Sequence, residues 1–172
     1  MPRNLEVKAR ITSIQDSTTL ANVLPAKYAG VLHQTDTYFN VSRGRLKLRE
    51  IEGARSELIY YVREEISHQR MSQFEQLSLT DPVKLKFLLT SACGVKGIVQ
   101  KERILFLYNE SVRIHLDNVR DLGAFLEFEI PVSDSTKAKN QMELLVHHFQ
   151  IRPADYVVKS YIDLISEITK DH

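Results

Sequence analysis

The chain has little of what stabilises secreted or membrane-embedded proteins. Its single cysteine, Cys93, cannot form a disulfide within the chain, which is typical of a protein kept in a reducing cytosol. No apolar run approaches the roughly 20 residues that a membrane-spanning helix requires. The sequence begins almost at once with a charged strand pattern, without the apolar segment of a signal peptide. We therefore expect a cytoplasmic protein with no membrane partner.

The chain also lacks an excess of charge of either sign. It has 23 Lys and Arg against 22 Asp and Glu, a net charge of +1. No global field therefore attracts nucleic acid, and no basic stretch interleaves with aromatic residues to bind bases, so we expect no nucleic-acid partner. Internal repeats, low-complexity segments and linkers are also missing. With 43% hydrophobic and 26% charged residues, the composition is that of one ordinary globular domain.

Alternation of polar and apolar residues recurs along the sequence. In residues 4–11, Asn4, Glu6, Lys8 and Arg10 alternate with apolar residues, which predicts a half-buried strand with one charged face. Similar patterns predict seven more strands, at residues 31–41, 45–51, 58–66, 73–79, 99–108, 112–119 and 125–132. Helices are predicted at residues 16–24, 82–93 and 134–149 and from Pro153 onward. Short turns and the lack of βαβ alternation favour an antiparallel sheet or barrel with helices packed outside.

The charged faces hold like charges in rows. Arg45, Lys47 and Arg49 share one face of a strand, and Glu127 and Glu129 share another. At an effective dielectric of about 20, two like charges about 4 Å apart repel by roughly 4 kcal/mol. One interpretation is an open sheet with a solvent-exposed face. The other is a closed lining that binds an anionic ligand together with Mg²⁺ or Mn²⁺, which prefer oxygen ligands.

Motifs along nearly the whole chain resemble the CYTH superfamily, which includes class IV adenylyl cyclases, thiamine triphosphatases and tunnel-type inorganic triphosphatases. The likeness is greatest to compact proteins known as class IV adenylyl cyclase-like. The matching segments follow in family order: LEVK at residues 5–8, DTYF at 36–39, GRLKLRE at 44–50, YVR at 61–63, KER at 101–103, HLD at 115–117, LGAFLEFE at 122–129 and SYIDL at 160–164.

The resemblance implies an α+β fold, in which residues 1–172 form a single CYTH-like domain. Its eight-stranded antiparallel β-barrel would be a triphosphate tunnel with charged faces inward and helices outside. The implied triphosphate-binding residues are Lys8, Arg45, Lys47, Arg49, Arg63, Lys101, Arg103 and Arg113. The implied ligands of Mg²⁺ or Mn²⁺ are Glu6, Asp117, Glu127 and Glu129. We further expect Glu6 and Lys8 to be catalytic and to face Glu127 and Glu129 across the lining.

Three functions remain open at this stage. The first is a metal-dependent phosphohydrolase that acts on a nucleoside, thiamine or inorganic triphosphate, with Glu6 positioning water and Lys8 stabilising phosphoryl charge. The second is a class IV adenylyl cyclase that makes cyclic AMP and pyrophosphate from ATP. The third is a non-catalytic module that binds polyphosphate or a phosphorylated ligand, and a homodimer is also open. Asn4 stands where the family signature has its first glutamate, which puts a second metal site in question.

Overall fold

The computed structural model describes residues 1–63 and 68–170. The strands are β1 (Arg3–Arg10), β2 (Ala26–Phe39), β3 (Arg45–Ile51), β4 (Glu57–Arg63), β5 (Arg70–Ser78), β6 (Val95–Tyr108), β7 (Val112–Val119) and β8 (Gly123–Pro131). The helices are α1 (Ile14–Val23), α2 (Pro82–Cys93), α3 (Ser135–His148) and α4 (Tyr161–Lys170), with a short 3₁₀ helix at Pro153–Asp155.

The strands close into one antiparallel barrel in the order β1-β5-β4-β3-β2-β6-β7-β8, with β8 paired back to β1. The α+β fold with an eight-stranded barrel is therefore confirmed. In this ring, β1 and β8 are neighbours, and β2 and β3 lie diametrically opposite them. Because side chains alternate along each strand, every strand contributes one face to the interior and one to the outside.

The main hydrophobic core lies outside the barrel. The outward residues Val7, Ile114 and Phe128 are fully buried, and they pack with Met142 and Leu145 of α3. Helix α1 covers the adjoining part of β7 and β8. Since the helices take up the apolar faces of β1, β7 and β8, the polar faces of the same strands must point inward.

A second apolar cluster closes one end of the barrel. Tyr161 and Ile162 at the start of α4 pack with Val99 and Phe125 from the interior. A Cβ atom at Gly97 of β6 would lie 2.6 Å from Cδ1 of Ile162. Gly97 therefore lets α4 approach the sheet, and α4 acts as a plug.

The predicted and observed elements differ mainly at their ends. The predicted helix from Pro153 is wrong at its start, because only a 3₁₀ turn forms there and α4 begins at Tyr161. Helix α1 begins at Ile14, since Ser13 caps it by accepting from the amide of Asp16. Residues 64–66 of the predicted strand 58–66, which include Glu65, lie outside the described residues. Among the described helices, none combines the length and apolar character needed to cross a membrane.

Candidate functional site

The barrel interior holds a cavity of about 300 Å³ that all eight strands and α4 line. Its lining is mostly polar and charged. The charged members are Glu6, Lys8, Lys47, Arg49, Glu57, Lys101, Arg103, Arg113, Glu127 and Glu129. A closed barrel whose inward faces carry such residues is a tunnel rather than a packed core.

The wall formed by β2, β3 and β6 gathers cations around one buried acid, Asp36. The Nε of Arg49 donates to Oδ1 of Asp36 over 2.7 Å, and Lys47 donates to Oδ2 over 2.9 Å. Lys101 donates to the same Oδ2 over 3.4 Å. Burial raises the pKa of the Asp36 carboxyl, but Arg49, Lys101 and Lys47 outweigh burial and hold that pKa well below its usual range. We call Asp36, Lys47, Arg49 and Lys101 the cationic wall.

The opposite wall, on β1, β8 and β7, gathers carboxylates. Glu6 and Glu129 are direct cross-strand partners, and Glu127 is the partner of Lys8 on the same pair of strands. Donor atoms of His115, Glu127 and Glu129 lie within 4.8 Å of one another. We call Glu6, Glu127, Glu129 and His115 the acidic wall.

The carboxylates of the acidic wall titrate at different pH values. Burial raises the pKa of Glu6 to about 7, and the nearby Glu129 and Glu127 add to the shift. Burial also opposes ionisation of Glu129, but His115 and Arg113 lower its pKa to about 2. Burial together with Arg103 lowers the pKa of His115, which favours the form of the imidazole that offers a lone pair. The wall thus holds two ionised carboxylates, Glu127 and Glu129, beside Glu6, whose ionisation is suppressed by burial and by these two neighbours.

A divalent cation fits this donor set, because its charge would offset the burial and the repulsion that together raise the pKa of Glu6. Glu127 and Glu129, with Glu6 beside them, supply the oxygen ligands that Mg²⁺ and Mn²⁺ prefer. His115 would either ligate Mn²⁺ directly or orient Glu127, whose Oε1 lies 3.4 Å from the His115 Nδ1. His115 was not among the site residues predicted from the sequence. It lies two residues from Arg113 on the same face of β7, and this alternation could have indicated it.

Arg103 connects the two walls. Its Nε and a terminal nitrogen donate to both oxygens of Asp117, over 2.7 and 2.6 Å. The hydroxyl of Tyr161 donates to Asp117 over 2.8 Å, and Arg103 also reaches Oε1 of Glu127 over 3.3 Å. Burial opposes ionisation of Asp117, but Arg103 lowers its pKa to about 2. Asp117 therefore holds Arg103 and the plug residue Tyr161 in place.

Lys8 lies beside the acidic wall and contacts several groups. Its Nζ lies 3.6 Å from Glu127, 4.0 Å from the ring centre of Tyr161 and 3.3 Å from the carbonyl of Lys159, to which it donates. Burial lowers the pKa of Lys8 to about 7 despite the attraction of Glu127. Lys8 is thus poised between charged and neutral forms.

Asn4 lies beside the acidic wall and lines the same cavity. With its amide oriented to satisfy both ends, its oxygen accepts from Arg113 over 3.1 Å and its nitrogen donates to the carbonyl of Arg3 over 3.2 Å. Arg113 in turn donates to Glu129 over 2.8 Å. Asn4 therefore supports Arg113 and adds no charge to the carboxylate cluster.

The structure brings most predicted site residues into the cavity, and their roles stay predictions. Arg63 lies 3.4 Å from Glu6. Three of the predicted residues that the structure describes do not line the cavity: Arg63, Arg45 and Asp117. Arg45 donates to Asp163 of α4 over 2.6 Å, and Asp117 accepts from Arg103 and Tyr161. Glu6 and Lys8 lie side by side with Glu129 and Glu127 rather than across the tunnel, because β1 and β8 are hydrogen-bonded neighbours.

Several solved structures share this fold. The PH1012 protein from Pyrococcus horikoshii is 25% identical, with a TM-score of 0.84 over 94% of this chain and 98% of that one. A proposed adenylate cyclase from Vibrio parahaemolyticus is 20% identical, with a TM-score of 0.79 over 95% and 97% of the two chains. The proposed adenylyl cyclase HpAC1 from Hippeastrum, which has a dominant triphosphatase activity, is 15% identical, with a TM-score of 0.71 over 95% of each chain.

No curated protein matches the sequence. The family model of the CYTH domain, in contrast, matches residues 2–161, which is nearly the whole chain and includes every strand of the barrel. The tunnel with its charged interior agrees with that match, and the chain belongs to the CYTH family.

Proposed function

We propose that the chain is a divalent-metal-dependent triphosphatase that binds and hydrolyses its substrate inside the tunnel. The observation that carries the proposal is the division of one cavity of about 300 Å³ into a cationic wall and, opposite it, an acidic wall. A metal-bound triphosphate needs both kinds of wall, since its oxygens bind cations and its metal binds carboxylates. The proposed cyclase from Hippeastrum with its dominant triphosphatase activity supports hydrolysis as the first choice.

The cationic wall would bind the phosphates. Lys47, Arg49 and Lys101 already point into the cavity, held there by Asp36. Arg103 stands between the walls, fixed by Asp117 in a bidentate pair. Groups held in place before the substrate arrives need no reorganisation during the reaction, which is how preorganised electrostatics lowers a barrier.

The acidic wall would hold the metal and handle the proton. Glu127 and Glu129 would bind Mg²⁺ or Mn²⁺, which would neutralise phosphoryl charge when bound. The pKa of Glu6 is about 7, so its carboxylate can accept a proton from a water molecule near neutral pH. Lys8, with a pKa of about 7, would be held in its charged form by the phosphoryl oxygens.

The second candidate is a class IV adenylyl cyclase, which the likeness to the proposed cyclase from Vibrio parahaemolyticus favours. Both reactions use the same phosphate and metal groups, so the charged walls do not separate them. Product analysis does: incubation with ATP and Mn²⁺ yields ADP and phosphate from a triphosphatase, and cyclic AMP and pyrophosphate from a cyclase. Cyclic AMP as the main product would overturn the proposal of hydrolysis.

Binding is tested separately from turnover. Tripolyphosphate with Mg²⁺ should stabilise the protein against thermal unfolding, by about 2.7 kcal/mol at 100 times the dissociation constant. The matched control is Glu143→Gln, which changes an exposed glutamate on α3 and should bind as the wild type does. No stabilisation of the wild type would overturn the tunnel proposal. Stabilisation with neither set of products would favour a module that binds without turnover.

A further inference from the structure

Tyr161, the first residue of α4, lies at the plugged end of the tunnel and lines the same cavity as the charged residues. Only 5% of its surface is exposed. Its hydroxyl donates to Asp117 over 2.8 Å, and its ring packs edge-to-face against Phe125, with the two ring centres 5.0 Å apart. The ring is therefore held at its hydroxyl, at its side and by the helix that carries it.

Two lysines from different walls meet at this ring. The Nζ of Lys8, on β1 beside the acidic wall, lies 4.0 Å from the ring centre of Tyr161. The Nζ of Lys101, on β6 in the cationic wall, lies 5.3 Å from the same centre. Both distances are within the roughly 6 Å over which an aromatic face attracts an ammonium group. Strands β7 and β8 separate β6 from β1, so the strand pairing does not by itself bring the two amines together.

The polar contacts of the two amines are long. Lys8 is 3.3 Å from the carbonyl of Lys159 and 3.6 Å from Glu127, and Lys101 is 3.4 Å from Asp36. A typical N–H···O hydrogen bond measures roughly 2.7–3.2 Å, so these contacts hold the amines weakly. A lysine has a flexible four-carbon stem, and placing its amine costs side-chain entropy. The aromatic ring is thus a large part of what places both amines.

We infer that Tyr161 is a positioning residue, whose ring holds the ammonium groups of Lys8 and Lys101 so that both contact one bound polyphosphate. The inference rests on the proposed function and extends the phosphate site from the walls to the plug. An aromatic face covers one side of an ammonium group, so its other N–H donors stay available for phosphoryl oxygens. Because the amines are ordered before the ligand arrives, binding costs less side-chain entropy.

The test changes the charge distribution of the ring and keeps its shape. Tyr161→Phe is the reference variant, and position 161 then carries phenylalanine with one, two or three fluorine atoms, which withdraw electron density from the ring face. The ligand is the imido analogue of tripolyphosphate with Mg²⁺, because its P–N–P bridges resist hydrolysis. Calorimetry measures the dissociation constants. Affinity should fall with each added fluorine, by about tenfold in total. Equal affinities along the series would overturn the inference.

The matched control is trifluorophenylalanine in place of Phe125. Phe125 belongs to the same apolar cluster as Tyr161 and packs on its ring, but the cation over the Phe125 ring is Arg10, 4.7 Å from the ring centre. The control should therefore bind the imido analogue within about threefold of the wild type. A loss as large as that at position 161 would show that packing of the plug sets the affinity, against the inference.

The outcomes also separate this inference from the proposed function. Binding of the imido analogue without a trend along the fluorine series overturns the role of Tyr161 and leaves the triphosphate tunnel standing. A wild-type protein that does not bind the analogue overturns both. Should Tyr161→Phe fail to fold, difluorotyrosine at position 161 keeps the hydroxyl, and its comparison with the wild type decides in the same way.

Discussion

The two opposite walls of the tunnel deal with buried charge in different ways. The cationic wall surrounds one acid, Asp36, with three cations, and the pKa of that acid is held well below its usual range because the cations outweigh burial. The acidic wall places Glu6 beside Glu127 and Glu129, and burial together with these neighbours raises the pKa of Glu6 to about 7. The cationic wall has a counter-charge, Asp36, without a ligand. In the acidic wall, a bound cation would reduce the repulsion among the carboxylates.

This difference shows which wall is preorganised and which responds to its ligand. Asp36 fixes the cations, so phosphate would meet side chains already in position. The acidic wall carries a proton on Glu6 for part of the time near pH 7, and a bound divalent cation would release it. Metal binding therefore changes the protonation of Glu6 in the acidic wall, whereas Asp36 holds the cations in position before phosphate binds.

The largest expected effect comes from removing the acid that completes the cationic wall. Asp36→Asn leaves Lys47, Arg49 and Lys101 buried together without a counter-charge. Removing one partner of a buried ion pair lowers the free energy of unfolding by about 3–5 kcal/mol. Urea denaturation measures the loss, and added tripolyphosphate should recover part of it by replacing the negative charge. A loss below about 1 kcal/mol would show that the cations do not depend on Asp36.

The second prediction concerns the acidic wall, where activity should fall far more than stability. Glu129→Gln is expected to lower the metal-dependent rate by more than about 100-fold, because even groups behind a metal ligand contribute 10–100-fold. Its unfolding free energy should fall by no more than about 2 kcal/mol, less than in Asp36→Asn, since relief of the repulsion with Glu6 offsets part of the favourable pairing with His115 and Arg113 that lowers the pKa of Glu129.

Rates of phosphate release and urea denaturation check this prediction together, with the exposed Glu143→Gln as the matched control. A large loss of stability in Glu129→Gln would make Glu129 a structural residue. The two walls would then be alike in function, contrary to the comparison.

Lys101 tests whether phosphate binding is linked to protons. Burial and the nearby Arg103 lower the pKa of Lys101 to about 7, although Asp36 opposes the shift. A bound phosphate favours the charged amine, so above pH 7 binding must take up a proton and affinity must fall, by up to about tenfold per pH unit for each proton.

Arginine keeps its charge over this range, so Lys101→Arg should bind tripolyphosphate with a pH dependence that is smaller by about one proton between pH 7 and 9. Calorimetry at several pH values measures both proteins, and their difference removes the titration of the ligand itself. Identical pH dependences would show that Lys101 does not contact phosphate or is charged before it binds.

Much of this architecture could be predicted from the sequence. Period-two alternation placed Glu6 and Lys8 on an inward face, because a strand offers only two faces and the helices need the apolar one. Strand neighbours were harder to predict. The pairing of β1 with β8 joins residues more than 100 positions apart, and nothing local indicates that Glu6 lies beside Glu129 rather than opposite it.

The alternation of polar and apolar residues also could not predict which side chains form ion pairs with the rows of like charge. Lys47 and Arg49 looked like uncompensated cations, but Asp36 on the neighbouring strand compensates them. Arg45 shares their strand face, yet it lies near the plugged end and pairs with Asp163 of α4. The sequence could not show this, because the start of α4 depends on the packing of Tyr161 in the barrel end.

The smallest expected effect lies at that plug. Burial opposes ionisation of Asp163, but the Ser160 hydroxyl and Arg45 lower its pKa from 3.8 to about 2. A carboxyl with a depressed pKa stabilises the fold above its unfolded pKa and loses that contribution as the pH falls through the folded value. Because Asp163 is partly solvent-exposed, Asp163→Asn should cost only about 1 kcal/mol at pH 7, and the difference from wild type should shrink between pH 4 and 2. Urea denaturation at pH 7 and pH 3 measures it. A difference that is as large at pH 3 as at pH 7 would mean that Asp163 acts through packing of α4 rather than through its charge.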